Sequence, residues 1–249
     1  MKWLNRLTGL LLLASLPVQG QVLDIAHRGY PAYAPESTLQ AFQNAHAMGA
    51  DGIEFDVRQT KDNVVVVAHD AGVPALSGRA IERINFSELY MATDTPSLEE
   101  VLSFAKQSGQ TVWLEIKQSH RYPGIIDRTL SLVSKYNLEK VAVIQSFNHG
   151  DLQRVHLKKP ELKLLALFSS SFSLSRVAGY VDYIGLPIVD TYLNSELIKA
   201  IHDASKRVIF WRRNDRSETK QVLQQFIKAG ADGFMLDRSL KAIVNDVRY

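Results

Sequence analysis

Polar side chains lie in or directly after short apolar runs at several points in the first half of the sequence. Such runs are typical of buried β-strands, and these side chains are of types that bind metal ions or phosphate, or that transfer protons. The set consists of His27, Arg28, Glu54, Asp56, His69, Glu115 and Lys117. The pattern indicates that several strands bring ionisable groups to one site.

Three of these residues are carboxylates whose spacing would bring them together. Successive side chains of a strand point to opposite faces, so Glu54 and Asp56 share one face. By the same rule, Glu115 and Lys117 share a face of a later strand. Converging carboxylates repel each other unless a cation neutralises them, and oxygen ligands favour Mg²⁺ or Ca²⁺. We therefore predict that Glu54, Asp56 and Glu115 bind a divalent metal ion; the alternative is a network of structural salt bridges with neighbouring basic side chains.

Two histidines and two basic residues complete the candidate site. Histidine takes up and releases protons near neutral pH, which makes His27 and His69 candidates for an acid–base pair. Arg28 and Lys117 are candidates for binding phosphate oxygens, and the alternative is that they balance the charge of the carboxylates. The other histidines are interpreted as structural, and they are His46, His120, His149, His156 and His202.

Trp211 ends a later apolar run and is a candidate for contact with an apolar part of a substrate. Packing in the protein core is an equally good interpretation of a single tryptophan.

The elements that must position these residues alternate between β-rich runs and amphipathic helical patterns. Eight strands with helices between them predict a parallel (β/α)8 barrel, in which the active site lies at the carboxyl ends of the strands. A doubly wound open sheet is the alternative, disfavoured because no glycine-rich nucleotide loop follows the first strand. The predicted strands are 22–29, 52–60 (continued by 64–70), 111–118, 141–147, 163–169, 183–187, 207–215 and 233–238. The predicted helices are 36–49, 97–109, 124–137, 149–157, 194–206, 218–229 and 239–247.

Two connecting segments differ from this alternation. The stretch 71–96 has no regular pattern, and a connection of that length predicts a functional loop or a small subdomain. The segment 170–179 has only a weak pattern. Neither segment resembles a linker, so we predict a single domain over 21–249.

The N-terminus has the pattern of a secretory signal peptide over residues 1–20. Lys2 and Arg6 precede an apolar run, 7–16, that is about half of the ~20 residues a membrane-spanning helix needs. We therefore expect cleavage after Gly20, export to the periplasm or the medium, and no stable membrane anchor afterwards.

Composition excludes several classes of protein. The 249 residues include no cysteine, so disulfides, zinc–thiolate sites and thiol nucleophiles are excluded. Without the two basic residues of the signal peptide, the chain has 27 basic and 26 acidic side chains, a formal charge of +1. The basic residues form no patch, so we predict no nucleic-acid partner.

The candidate residues also lie within motifs that resemble those of the glycerophosphodiester phosphodiesterase family. The runs AHRGYPAYAPESTLQAF and GADGIEFDVRQTKDNVVVVAHD resemble its first two motifs. The runs PSLEEVL, LEIK, QSF and GADGFMLDR match later positions in order, so the resemblance covers nearly the whole predicted mature chain. It implies a (β/α)8 barrel and roles for eight residues: catalysis by His27 and His69, metal binding by Glu54, Asp56 and Glu115, and substrate contact by Arg28, Lys117 and Trp211.

The resemblance implies hydrolysis of a small glycerophosphodiester to glycerol 3-phosphate and an alcohol, with Mg²⁺ or Ca²⁺. One alternative is a lysophospholipase D or a phospholipase C-like lipid phosphodiesterase on the same fold. That alternative needs an apolar surface, and 71–96 offers no long apolar run. Another is a catalytically silent protein that binds phosphate esters, although binding alone needs no acid–base pair.

The sequence departs from the family pattern at three points. Ser37 stands where the family usually has Asn, and the segment after Asp70 is shorter than the insertion of larger members. Arg212 and Arg213 after Trp211 are also unusual, and they would add positive charge at the mouth of the predicted site.

Overall fold

Eight parallel strands close into a barrel in the computed structural model, which describes residues 21–213 and 217–245. The strands are β1 (Leu23–Ala26), β2 (Gly52–Gln59), β3 (Val65–Val67), β4 (Gly72–Val73), β5 (Arg79–Ala80), β6 (Thr111–Ile116), β7 (Ala142–Ser146), β8 (Lys163–Leu167), β9 (Tyr183–Pro187), β10 (Arg207–Trp211) and β11 (Gly233–Leu236). The α-helices of the described residues are α1 (Leu39–Ala47), α2 (Phe86–Thr93), α3 (Leu98–Ser108), α4 (Ile125–Lys135), α5 (His149–Lys158), α6 (Ser195–Asp203), α7 (Lys220–Ala229) and α8 (Leu240–Asn245).

The order of strand pairing confirms the predicted barrel. Parallel pairs run from β1 through β2, β6, β7, β8, β9, β10 and β11, and β11 pairs with β1 again. Because the first and last strands pair, the sheet is closed and the doubly wound open sheet is excluded.

The predicted alternation of strand faces is also confirmed. Ile53, Phe55 and Val57 of β2 belong to the large apolar cluster that includes residues of the surrounding helices. Glu54 and Asp56, which alternate with them, face the barrel interior. A second apolar cluster fills that interior, and it consists of Ile25, Trp113, Val143, Leu165, Leu167, Ile209 and Met235.

The segment after β2 does not continue that strand, so this part of the prediction is wrong. Thr60 and Val64 close a tight turn in which the amide of Thr60 donates to the Val64 carbonyl, and Asn63 has a φ of 66°. The chain therefore reverses, and β3 pairs antiparallel with β2, with Val67 opposite Val57.

The stretch 71–96 forms a small subdomain, as one of the two interpretations predicted. It contains the β4–β5 hairpin and α2, and it packs against Val66 of β3 in an apolar cluster with Val73, Ile81, Ile84 and Leu89. The segment 170–179 forms no α-helix, and β8 and β9 are joined through a short 3-10 turn, Leu174–Arg176.

Helix α3 begins at a capping box. The Ser97 hydroxyl accepts from the Glu100 amide, and the Glu100 carboxylate accepts from the Ser97 amide.

Residues 1–20, the predicted signal peptide, lie outside the described residues, as do the ends of the predicted strand 207–215 and helix 239–247. Export therefore stays a prediction. Over the described part of the chain, every helix is too short or too polar to cross a bilayer.

Candidate active site

A cavity of about 270 Å³ opens at the carboxyl ends of the barrel strands. All the residues predicted for the site line it: His27, Arg28, Glu54, Asp56, His69, Glu115, Lys117 and Trp211. Gln145, Phe147, Leu167, Arg212, Arg213 and Met235 complete its wall. A larger cleft of about 820 Å³, lined in part by β3, α3 and α4, shares none of these residues. The ionisable groups therefore identify the smaller cavity as the candidate active site.

Three buried carboxylates lie at the base of this cavity. Glu54 and Asp56 come from β2, and Glu115 lies opposite Asp56 in the pairing of β2 with β6. One oxygen of each lies within 4.8 Å of the others. Oδ2 of Asp56 has no hydrogen-bond partner among the described residues. This compact set of oxygens fits a divalent cation.

The electrostatics of the carboxylates support the same fit. Burial and the neighbouring Asp56 raise the pKa of Glu54 to about 7. Burial and Asp56 also raise the pKa of Glu115 well above its ordinary value. Burial acts on Asp56 in the same direction, but Lys117 and Arg28 outweigh it and lower the pKa of Asp56. Without a cation, the cluster therefore resists full ionisation, and a bound cation would relieve the repulsion.

Two cationic side chains lie against the carboxylates. Nζ of Lys117 is 3.2 Å from Oδ1 of Asp56 and 3.0 Å from Oε1 of Glu115. Nε of Arg28 is 3.6 Å from Oδ2 of Asp56, and its Nη1 donates to the carboxylate of Glu36. Both side chains therefore balance charge, as the alternative interpretation held, and both also face the cavity where a phosphate would lie.

His27 is positioned by the turn that follows β1. This strand ends at Ala26, three residues earlier than predicted. Residues His27–Gly29 form a 3-10 turn, in which Arg28 has a φ of 48° and Gly29 a φ of 83°. A Cβ on Gly29 would lie 2.7 Å from Cβ of Ala41, so the close approach of this turn to α1 requires glycine. The turn directs the His27 ring into the cavity.

The partner of His27 is Asp237, which the sequence analysis missed. Nδ1 of His27 is 2.6 Å from Oδ1 of Asp237, and Nε of Arg212 is 2.8 Å from Oδ2 of the same carboxylate. Burial disfavours the charged ring, but the hydrogen bond to Asp237 and the charge of Glu54 raise the pKa of His27. Asp237 thus fixes the ring and leaves Nε2 as its other polar atom.

His69 reaches the cavity from the loop after β3. Its carbonyl accepts from Nε and Nη2 of Arg58 at 2.9 and 2.5 Å, and Nη1 of Arg58 donates to the Tyr122 hydroxyl. Arg58 therefore anchors the His69 backbone. Burial, together with Arg28 and Lys117, lowers the pKa of His69.

The wall next to these groups is apolar and aromatic. Trp211 packs edge-on against Phe147, with ring centroids 5.8 Å apart, and both rings line the cavity. The two interpretations of Trp211 are thus compatible, because the ring packs on a neighbour and faces the cavity. Gln145 was also missed, and its Nε2 donates to Oε1 of Glu54 at 2.8 Å.

Comparison with known proteins places this barrel and its site in one family. Residues 27–241 match the model of the glycerophosphoryl diester phosphodiesterase family. A glycerophosphodiester phosphodiesterase of Caldanaerobacter subterraneus is 30% identical over 244 residues, which cover 92% of this chain and 98% of that protein.

Solved structures share the fold at lower identity. A phosphodiesterase of Oleispira antarctica, solved in complex with the product sn-glycerol-3-phosphate, has a TM-score of 0.77 at 20% identity over 89% of this chain and 94% of that one. For a glycerophosphodiester phosphodiesterase of Thermotoga maritima the TM-score is 0.72 at 26% identity, over 87% of this chain and 95% of that one. The chain belongs to the glycerophosphoryl diester phosphodiesterase family and is a phosphoric diester hydrolase.

Glu115→Gln is expected to stabilise the metal-free protein at pH 8. The pKa of Glu115 is raised above 4.5, so the folded protein favours the protonated carboxyl. The free energy of unfolding therefore falls as the pH rises through the folded-state pKa, because Glu115 must then ionise within the cluster. Glutamine keeps the shape and removes the charge. In the presence of EDTA, the Tm at pH 8 should rise by roughly 3 °C or more, and the gain should shrink towards pH 5.

A matched control is Glu99→Gln, since a hydrogen bond from Lys135 lowers the pKa of the Glu99 carboxyl. This variant should not gain stability at pH 8. If Glu115→Gln were no more stable than the wild type in EDTA, the cluster would not be a site of charge repulsion.

Proposed function

We propose that this protein is a metal-dependent phosphodiesterase that hydrolyses small glycerophosphodiesters to glycerol 3-phosphate and an alcohol. The observation that carries the proposal is that two histidines with oppositely shifted pKa values line the same cavity as the three-carboxylate cluster. An acid–base pair requires one protonated and one neutral group at the same pH. The raised pKa of His27 and the lowered pKa of His69 provide this difference.

The carboxylates Glu54, Asp56 and Glu115 would hold Mg²⁺ or Ca²⁺, both of which prefer oxygen ligands. When bound, the cation supplies charge neutralisation at the phosphoryl oxygens. Arg28 and Lys117 lie beside the cluster and donate to phosphate oxygens, so they orient the phosphate and stabilise the negative charge of the transition state.

The imidazoles of His27 and His69 transfer the protons. One removes a proton from the nucleophile, which is either water or the neighbouring hydroxyl of the glycerol. The other gives a proton to the leaving alkoxide. If the glycerol hydroxyl attacks, the alcohol leaves and a cyclic phosphate forms, and water must then open this ring to give glycerol 3-phosphate. Asp237 holds the ring of His27, and Arg58 holds the backbone of His69, so both groups are fixed before the substrate binds.

The size of the cavity supports a small substrate. About 270 Å³ lies near the lower limit of small-molecule sites. The predicted signal peptide would place the activity in the periplasm or the medium, and this part of the proposal rests on residues 1–20 of the sequence alone.

With Mg²⁺ or Ca²⁺ present, kcat/KM for glycerophosphocholine is expected to be at least roughly tenfold higher than for lysophosphatidylcholine, because an acyl chain adds apolar bulk that this cavity does not accommodate. The measurement is choline released from each substrate, the second as micelles, by the same purified preparation. Glycerophosphoethanolamine should be hydrolysed as well.

Faster release from the lysolipid would reject this substrate in favour of a lysophospholipase D, the activity named for a mouse relative that is 24% identical. A hollow of about 180 Å³ beside His69, with Val73, Pro74 and Leu89 in its wall, would then be a candidate place for the acyl chain. Binding of glycerophosphocholine without any turnover would instead indicate a silent phosphate-ester binding protein.

A further inference from the structure

The side chains of the two arginines that follow β10 contact different partners. Nε of Arg212 is 2.8 Å from Oδ2 of Asp237 and 3.5 Å from Oε1 of Glu218, so carboxylates compensate its charge. Nη1 of Arg213 donates to the carbonyl of Ser169 at 3.1 Å, and this is the side-chain hydrogen bond it makes within residues 21–213 and 217–245. Arg213 is exposed and lines the cavity. A carbonyl carries no net charge, so a positive charge without a described carboxylate partner lies at the rim.

The position of Arg213 relative to the carboxylate cluster follows from the order of the strands. Arg213 follows β10 and Ser169 follows β8, and β9 lies between these two strands in the barrel. The side chain therefore reaches across the carboxyl end of β9. The cluster stands on β2 and β6, and around the closed ring of eight strands β2 is four positions from β9, as β6 is from β10. The cavity thus has the cluster on one side and the guanidinium of Arg213 on the opposite side.

Two other cationic side chains that line the cavity are paired with carboxylates, whereas Arg213 is not paired with one among the described residues. Lys117 contacts Asp56 and Glu115, and Arg28 contacts Asp56 and Glu36. These cations are next to carboxylates even before a substrate binds. Arg213 differs from them because its Nε and Nη2 make no hydrogen bond within the described part of the chain, and these donors suit a carboxylate or a phosphate.

We propose that Arg213 forms a subsite for an anionic group on the head-group alcohol, so that the enzyme prefers acidic glycerophosphodiesters. This inference rests on the proposed function. With the phosphate beside Arg28 and Lys117, one substituent crosses the cavity along the wall of Phe147 and Trp211 towards the opposite side. In a cavity of about 270 Å³, a group on that substituent comes within reach of the guanidinium at the rim.

Glycerophosphoserine and glycerophosphoethanolamine test the subsite, since they differ only in one carboxylate. For the wild type, the ratio of their kcat/KM values should favour the serine compound by roughly fivefold to tenfold, the scale of one partly exposed charge-assisted hydrogen bond. Arg213→Gln should bring this ratio close to one, and Arg213→Lys should retain part of it. The wild-type ratio should also fall as the salt concentration rises, because salt screens an exposed charge.

A second substrate pair distinguishes the two kinds of anion. Glycerophosphoglycerol with and without a terminal phosphate reports on a phosphate-bearing head group, and the serine pair reports on a carboxylate. Preference in either pair that depends on Arg213 supports the subsite and identifies its ligand. Arg83→Gln is the matched control, because Arg83 is an exposed arginine outside the cavity, and this variant should keep the wild-type ratios.

Two results would overturn the inference. If the kcat/KM ratios of both substrate pairs were unchanged in Arg213→Gln, a group other than Arg213 would bind the anion. Equal losses on every substrate would place Arg213 at the glycerol moiety that all of them share. Absence of turnover of every glycerophosphodiester by the wild type would contradict the proposed function itself, so the two failures are distinguishable.

Discussion

Replacement of His27 or His69 by glutamine is expected to lower kcat by about 10²-fold or more, the usual contribution of a general acid or base. KM should change much less, because neither imidazole is needed to hold the phosphate beside Arg28 and Lys117. The measurement is steady-state release of choline from glycerophosphocholine at saturating metal. Since the pKa of His27 is raised and that of His69 is lowered, the wild-type pH profile should have two limbs, and each variant should lose one.

The chain offers a matched control for these variants. His202 forms a pair with Asp232, with 2.8 Å between Nε2 and Oδ2, which resembles the pair of His27 with Asp237. Asp232 directly precedes β11, so this pair lies at the opposite end of the barrel. His202→Gln should therefore keep wild-type turnover. If a variant at His27 or His69 kept a near-normal kcat and an unchanged Tm, that histidine would not be catalytic.

The period-two pattern of strands made much of this site predictable from sequence. It placed Glu54, Asp56 and Glu115 on the inner faces of β2 and β6, and it assigned Ile53 and Phe55 to the outer face. A buried strand tolerates only one register with respect to its helices, so the pattern of apolar residues determines the direction of the polar ones. The alternation of strands and helices likewise determined the barrel.

Contacts between residues distant in sequence were not predictable in the same way. Asp237 lies 210 positions from His27, and no local pattern relates the two. Their proximity arises from closure of the barrel, since Ala26 pairs with Leu236 and the residues that follow are neighbours. The reversal of the chain after β2 was missed because the turn at Asn63 lies between two apolar runs. His69 nevertheless reaches the cavity, since the Ala68 amide donates to the Asp56 carbonyl.

Removal of divalent cations is expected to abolish turnover, and Mg²⁺ or Ca²⁺ should restore it. Glu54→Gln should weaken metal binding by roughly tenfold or more, because it removes one of the three clustered carboxylates. Binding should be measured directly by calorimetry, so that the result does not depend on activity. It should be weaker at pH 6 than at pH 8 in the wild type, since the pKa of Glu54 is raised to about 7 and a protonated carboxyl does not bind the cation.

The matched control for this variant is Glu82→Gln, since Glu82 is a carboxylate paired with Arg121 outside the cavity. It should keep wild-type metal affinity and turnover. The Tm of Glu54→Gln must be measured as well, because both oxygens of Glu54 accept hydrogen bonds, one from Gln145 and one from the Arg28 amide. Full turnover in a preparation shown to be free of metal would falsify the carboxylate site, because three converging carboxylates would then have no role in the reaction.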